Sequence, residues 1–180
     1  MAMSDPLLSP PGAADQQAGD QQAARVRSAH LREIDPRTVY LLAKLRQDVF
    51  TLEQHADDAD LDGRELEGGT LLMWLEEAST RAGGVVQPIA HLRVLREADG
   101  TVRIGRVLVR RDRRRGGYGR RLMMAALARI GEAAPGADVH IDAQAYLESW
   151  YAGMGFETTG PLFLEAGIEH VPMRRTAARS

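Results

Sequence analysis

At 180 residues the chain has room for one domain with a buried core, and 44% hydrophobic residues suit that class. A net charge of −2, from 23 basic and 25 acidic residues, makes any basic patch a local feature rather than a general character. The absence of cysteine excludes disulfides and thiolate metal sites. No apolar run approaches the length needed to cross a bilayer, and the start MAMSDPLLSPPGAADQQ has neither a basic nor an apolar leader region, so a cytoplasmic protein is expected.

Residues 1–24 are rich in Pro, Gly, Ala, Asp and Gln and are expected to be a disordered tail, with one domain over 25–180. Val26 to Ile34 reads as a first strand. Asp35-Pro36 is a helix start, a capping carboxylate followed by proline at the first helical position. Val39, Leu42, Leu45, Val49 and Leu52 carry an apolar stripe to about Gln54. The stretch from His55 to Gly69 holds Asp57, Asp58, Asp60, Asp62, Glu65 and Glu67. Asp58, Asp60, Asp62 and Gly63 mimic the first half of a calcium loop, but the distal glutamate is missing, and no metal is expected. The stretch reads as a solvated loop or as a wall for a cationic substrate.

Thr70 to Glu76 and Val86 to Arg96 read as strands, and Asp99-Gly100 as a hairpin turn into Val102 to Val109. A helix is expected from about Gly117 to Ala133, ended by Pro135-Gly136. Val139 to Ala143 follows as a strand, Ala145 to Gly153 as a short helix, then strands from Phe156 and near His170 to Arg174. Strands, a crossover helix and a parallel strand imply a mixed α/β sheet.

The chemistry concentrates in Val107 to Leu122, VLVRRDRRRGGYGRRL: a strand, a basic glycine-rich turn and a helix start. Unpaired N–H groups at a helix N-terminus favour an anion, and seven arginines lie between Arg110 and Arg121. The turn lacks the Gly-Lys-Ser/Thr ending of a Walker loop and the third glycine of a dinucleotide fingerprint. Taken alone, it is equally an ordinary βα turn with solvated arginines.

The segment Arg114-Arg115-Gly116-Gly117-Tyr118-Gly119 resembles the Gln/Arg-x-x-Gly-x-Gly/Ala loop of the GCN5-related N-acetyltransferases (GNATs). One helix and one strand later, Trp150-Tyr151-Ala152-Gly153-Met154-Gly155-Phe156 resembles the FYEKLGF signature of the same family. The ElaA-like branch is resembled by Leu45 to Phe50 with Glu53-Gln54, by Ala143 to Leu147, and by Phe163 to His170. Departures are His55-Ala56-Asp57-Asp58 where a Cys-Pro-Tyr segment is common, Leu72 in place of a histidine, and Gln144 in place of an asparagine.

The resemblance implies an α/β (α+β) GNAT fold, a mixed and mostly antiparallel central sheet flanked by helices, with splayed central strands holding acetyl-CoA. It implies acetyl transfer to an amine, small or on a protein, with coenzyme A as product. By resemblance, Val107, Leu108 and Val109 hold the pantetheine arm, with the Val109 N–H toward the thioester carbonyl. Arg114, Arg115, Gly116, Gly117, Tyr118, Gly119 and Arg120 hold the pyrophosphate, and Gln144 is a further cofactor contact. Tyr151 is the general acid candidate, with core packing as its alternative. Glu53, Glu165, His91, His140 and His170 are candidates for the base. Glu53, Arg93, Glu165 and His170 are candidates for the substrate walls; Arg93 shares a face with His91, which is either cleft or solvated surface. A GNAT-fold binding protein without catalysis is the alternative. A nucleic-acid module using the arginine run is disfavoured by scarce aromatics and negative net charge. No membrane partner is expected, and a homodimer is left open.

Overall fold

The computed structural model describes residues 24–77 and 86–177. The expected tail lies outside these residues except for Ala24, which is buried and whose carbonyl accepts from Arg121 Nη2 at 2.7 Å. Among the described residues, one sheet runs in the order β1-β2-β3-β4-β5-β8-β6, with β7 also paired to β8. The strands are β1 Arg25–Ala29, β2 Leu71–Glu77, β3 Gln87–Arg96, β4 Val102–Val109, β5 Val139–Gln144, β6 Glu157–Thr158, β7 Phe163–Glu165 and β8 Ile168–Arg175. All pairings are antiparallel except β4 with β5. This is the mixed, mostly antiparallel sheet that the resemblance implied.

Helices cover both faces, as the side-chain alternation of the strands requires. On β2, Met73 and Leu75 join the core under α2 (Tyr118–Ala133), with Leu122, Met123, Ala126 and Ile130. Leu72 and Trp74 point the other way and meet Leu42 of α1 (Pro36–Arg46), while Leu45 and Val49 meet Leu108 of β4. β3 is buried on both faces from Pro88 to Leu95, so it sits at the centre. Each large aliphatic side chain buried here contributes about 1.5–3 kcal/mol.

α1 starts as its sequence demands. Asp35 Oδ1 accepts from the backbone N–H of Arg37 at 2.9 Å and of Thr38 at 3.3 Å, and Pro36 opens the helix. The expected single helix to Gln54 divides, however: the α-helix ends at Arg46, and Gln47–Glu53 is wound as a π-helix. The first strand is shorter than expected, because Leu31–Glu33 forms a 3₁₀ turn. The helix expected from Ala145 opens as a 3₁₀ turn and is α-helical over α3, Glu148–Ala152. β7 is an addition that the sequence reading lacked. It closes on β8 through Ala166 (φ 50) and Gly167 (φ 75), a two-residue turn with both residues left-handed.

Candidate active site

The parallel pairing of β4 with β5 lasts two residues, Val102 with Val139 and Arg103 with His140. Beyond it the strands part, and among the described residues no strand pairs the rest of β4 on that side. A cavity of about 520 Å³ occupies the gap, lined by Ile104 to Val107 from one arm and by Ile141, Asp142 and Gln144 from the other. The opposite edge of β4 carries a bulge against β3. His91 faces Leu108 while Arg93 faces Gly105, so β4 holds one extra residue there, with Arg106 left-handed at φ 54.

The pairing after the bulge decides which way Val109 points. The Arg110 N–H donates to the Ile89 carbonyl at 2.7 Å, so Arg110 faces β3. Alternation then turns the N–H and C=O of Val109 toward the gap. Arg114 Nε donates to that carbonyl at 3.1 Å. The expected donor at Val109 is therefore on the open edge. Val107 and Val109 pack toward the α2 side, while Leu108 is buried against Leu45 and Val49.

The glycine-rich turn leads into α2, whose N-cap is Gly117 at φ 76. Only this glycine of the turn needs its conformational freedom for the backbone itself. At Gly116 a Cβ would come within 2.8 Å of the Tyr118 ring, and at Gly119 within 3.3 Å of Val109. Both are small because side chains of the fold press on them. The N-terminus of α2 lies at this turn, after the end of β4, where the helix dipole favours an anion.

The arginine run is less positive than it reads. Arg110 and Arg113 pair with Asp112 and Glu77, Arg114 with Glu53, while Arg120 donates to the Gly153 carbonyl and Arg121 to that of Ala24. Arg115 (φ 65) and Arg111 keep no such partner among the described residues and are exposed. So many internal commitments argue against the run as a nucleic-acid surface.

Part of the acidic stretch turns inward. Arg46, 2% exposed, holds the Asp60 carboxylate with Nε at 2.8 Å and Glu65 with Nη1 at 2.5 Å. Arg93 takes Asp62 and Glu65, both through Nη1 at 2.6 Å. Arg106 reaches Asp60 Oδ1 at 3.0 Å, which ties the bulge to the network. The solvated-loop reading holds for Asp57, Asp58 and Glu67, which are exposed, but Asp60 and Glu65 are drawn inward, and the reading of Arg93 as a solvated strand residue is corrected: it is buried, and these charges needed one another to be buried. The arginines hold Asp62 well below the usual carboxylate range. For Glu65, burial acts upward most strongly, yet Arg46 and Arg93 bring it below its ordinary value. His91 lies beside them, buried, with neither ring nitrogen hydrogen-bonded among the described residues. Burial first, then the Arg46 charge, push its pKa down to about 3, so it is neutral.

The β5 side carries the rest. Tyr151 lines the cavity, packs edge-on against Trp150 and Phe156, and is 5% exposed. Burial raises its phenol above its ordinary value. Gln144 exchanges amide hydrogen bonds with Gln54 at 3.1 and 3.3 Å and accepts from the Tyr146 hydroxyl at 2.8 Å. Glu165 and His170, from the β7–β8 hairpin, also line the cavity, with Arg93 on its floor. Glu53 does not line it; its carboxylate is spent on Arg114. His140 also lies outside the lining.

The sequence model of the acetyltransferase (GNAT) domain matches residues 21–177. This chain belongs to the GNAT family. A UPF0039 protein of Mycobacterium tuberculosis is 43% identical to it over 147 residues, covering 80% of this chain and 88% of the relative. ElaA of Escherichia coli is 31% identical over 150 residues, covering 81% of this chain and 92% of ElaA. The crystal structure of ElaA superposes with a TM-score of 0.75 over 84% of this chain and 99% of its own, at 28% identity. An acyl-CoA N-acyltransferase from Pseudomonas aeruginosa superposes at 0.74, with 32% identity and the same coverage. The GNAT chain thus falls with the ElaA-like proteins, as its motifs implied. Among its described residues no helix is long and apolar enough to cross a membrane.

Sequence reasoning about this GNAT domain missed Arg46, Arg106 and Gln54. Arg46 had a signal: it lies four residues after Leu42, on the buried stripe of α1, in a chain with six carboxylates close behind. Gln54 stood out only as half of the Glu53-Gln54 pair of the ElaA-like pattern, and Arg106 had no signal, because a π-turn and a bulge place them.

Proposed function

We propose that this GNAT domain transfers an acetyl group from acetyl-CoA to an amine, on a small molecule or a protein, in the cytoplasm. The observation that carries the reading is the open edge of β4 with the Val109 N–H and C=O turned into the gap, beside the N-terminus of α2. An extended, amide-bearing arm adds to such an edge as a strand. The residues present therefore fit an acyl-CoA. Its thioester supplies the activated acyl group.

The chain's own groups then have distinct tasks. Val107, Leu108 and Val109 form the edge that orients the arm, and the Val109 N–H donates to the acyl carbonyl oxygen. The amides from Gly116 to Arg120, with the Arg114 and Arg115 guanidiniums, hold the diphosphate, and Gln144 contacts the arm. Tyr151 carries the proton for the departing sulfur, and its burial keeps it protonated at every working pH.

For the base, one candidate stands out. His170 Nδ1 lies 2.9 Å from the Ile168 carbonyl, which can only accept, so the neutral ring carries its proton on Nδ1 and its lone pair on Nε2. His170 lines the cavity with Glu165, whereas His91 is buried and neutral. We assign His170 Nε2 to take the proton of the incoming amine, with Glu165 and Arg93 in the acceptor wall.

The test is calorimetric titration with acetyl-CoA, then thiol release over an amine panel. Binding with turnover is expected; binding without turnover would make the protein a non-catalytic acyl-CoA binder. His170→Gln should lower kcat/KM by about 10²-fold or more. Tyr151→Phe should lower kcat with little change in coenzyme A affinity. Its raised pKa makes it a weak acid, so the loss belongs at the lower end of the roughly 10²–10⁴-fold range for such groups. A Tyr151→Phe enzyme with unchanged kcat leaves the hydroxyl idle.

A further inference from the structure

Two consecutive residues at the end of the π-helix reach opposite walls of the split. Glu53 holds the Arg114 fork through both carboxylate oxygens, Oε2 at 2.8 Å from Nη2, while Arg114 Nε rests on the Val109 carbonyl at 3.1 Å. Gln54 reaches the other arm and forms the reciprocal amide pair with Gln144. Residues 53 and 54 therefore bridge the turn after β4 to the end of β5, across the mouth of the gap.

The chemistry of each half matters. The Arg114 guanidinium is neutralised by a carboxylate, and its Nε occupies an acceptor on the open edge. The Gln144 amide has both its donor and its acceptor satisfied by another amide. An anion and an amide are what a ligand with a diphosphate and an amide-bearing arm would bring. We propose that Glu53 and Gln54 are a clasp that spans the mouth of the acyl-CoA cleft and occupies two of its ligand-holding side chains, Glu53 standing in for phosphate on Arg114 and Gln54 for the amide arm on Gln144. The proposal rests on the acyl-CoA reading above. Glu53 and Gln54 act here through Arg114 and Gln144, as positioning residues.

The clasp follows from the π-helix. Its wider turn closes with the Gln54 N–H on the Val49 carbonyl at 3.0 Å, and His55 then leaves the helix left-handed at φ 56. That ending sets residues 53 and 54 side by side over the cleft. Ligand entry exchanges each internal pair for an equivalent external one, so the clasp lowers apparent affinity by the fraction of molecules in which it is closed. A clasp closed in about nine molecules of ten weakens binding about tenfold.

The experiment titrates wild type, Glu53→Gln, Glu53→Asp and Gln54→Leu with coenzyme A and with its two halves. The nucleotide half is adenosine 3′-phosphate 5′-diphosphate, and the amide half is pantetheine. Glu53→Gln should tighten the nucleotide half roughly three- to tenfold and leave pantetheine unchanged. Gln54→Leu should do the reverse. Glu53→Asp keeps the charge but is too short to hold the Arg114 fork, so it too should tighten the nucleotide half. Melting of each free variant shows that it is folded. Weaker binding in either variant, equal binding in all, or tightening confined to Glu53→Gln would overturn the clasp. If wild type binds neither coenzyme A nor either half, the acyl-CoA reading itself falls, and the clasp with it.

Discussion

Two regions of this molecule are rich in arginine, and they use it in opposite ways. In the network beside the bulge, Arg46, Arg93 and Arg106 meet Asp60, Asp62 and Glu65, and the first two guanidiniums are almost sealed from water. In the turn before α2, the arginines are half-buried or exposed, and Arg115 keeps its charge uncompensated among the described residues. In sequence the turn's arginines cluster, whereas those of the network are scattered at positions 46, 93 and 106. Burial separates them. In the network, removing one partner strands a charge in a poor solvent; in the turn, it only alters a field.

The largest expected effect comes from breaking the network. Arg46→Leu leaves Asp60 and Glu65 without their main partner. Breaking a buried pair in this way costs about 3–5 kcal/mol. Urea unfolding should show that loss, while Arg115→Ala leaves the midpoint in place. A loss below about 1 kcal/mol for Arg46→Leu would show the network to be solvated after all, like an exposed pair.

The second effect sharpens the same contrast through pH. Folded His91 binds a proton only near pH 3, against an ordinary 6.5, because burial and the Arg46 charge oppose its cation. Arg93 and Glu65 also face it, the first opposing and the second favouring the cation. A depressed folded pKa means that the unfolded chain takes the proton first. The stability held by neutral His91 is complete above about 6.5 and drains as pH falls toward 3. Between pH 7 and pH 5 the loss is roughly 2 kcal/mol. Asp62 and Glu65, with lowered pKa values, lose their contribution only at more acidic pH. His91→Met should flatten unfolding stability between pH 7 and pH 5; an unchanged slope would mean that His91 is not the titrating group.

What the sequence made legible follows local rules. Asp35-Pro36 announced the start of α1, the Val102 to Val109 run announced β4, and Gly117 announced the turn into α2, since each acts through its own backbone. Of the residues the family motifs singled out, Gln144 and Tyr151 line the cavity, because they lie on elements in fixed order, while the glycine turn lies outside its lining. The network was not legible in the same way. Arg46 and Asp60 meet across a loop, Arg93 and Asp62 across the sheet, and only the register at the bulge brings Arg106 to them. The α-to-π change was equally hidden. It depends on how Val49 and Phe50 seat against Leu108, which is a tertiary contact.

The smallest effect tests the other half of the contrast. Arg115 sits at the mouth of the turn, exposed, with a left-handed backbone and no internal carboxylate among the described residues. Arg113, two residues earlier, rests on Glu77 with Nε 3.0 Å from each carboxylate oxygen. If the turn binds a diphosphate, Arg115→Ala should weaken coenzyme A roughly two- to fivefold, the scale of a single exposed charge contact. It should also make affinity less dependent on salt, because one fewer protein cation attracts the ligand's phosphates. Arg113→Ala should leave that salt dependence alone and instead lower stability slightly, because its charge is already committed to Glu77. Arg111 is a further control. It is exposed and lines a different hollow, where its charge reaches Glu53, so its removal should change the salt dependence less than the removal of Arg115 does. A salt slope that shifts equally for Arg111, Arg113 and Arg115 would mean that the turn acts as a diffuse positive field. A shift greatest for Arg115 means that its position, rather than the number of arginines around it, carries the ligand's charge.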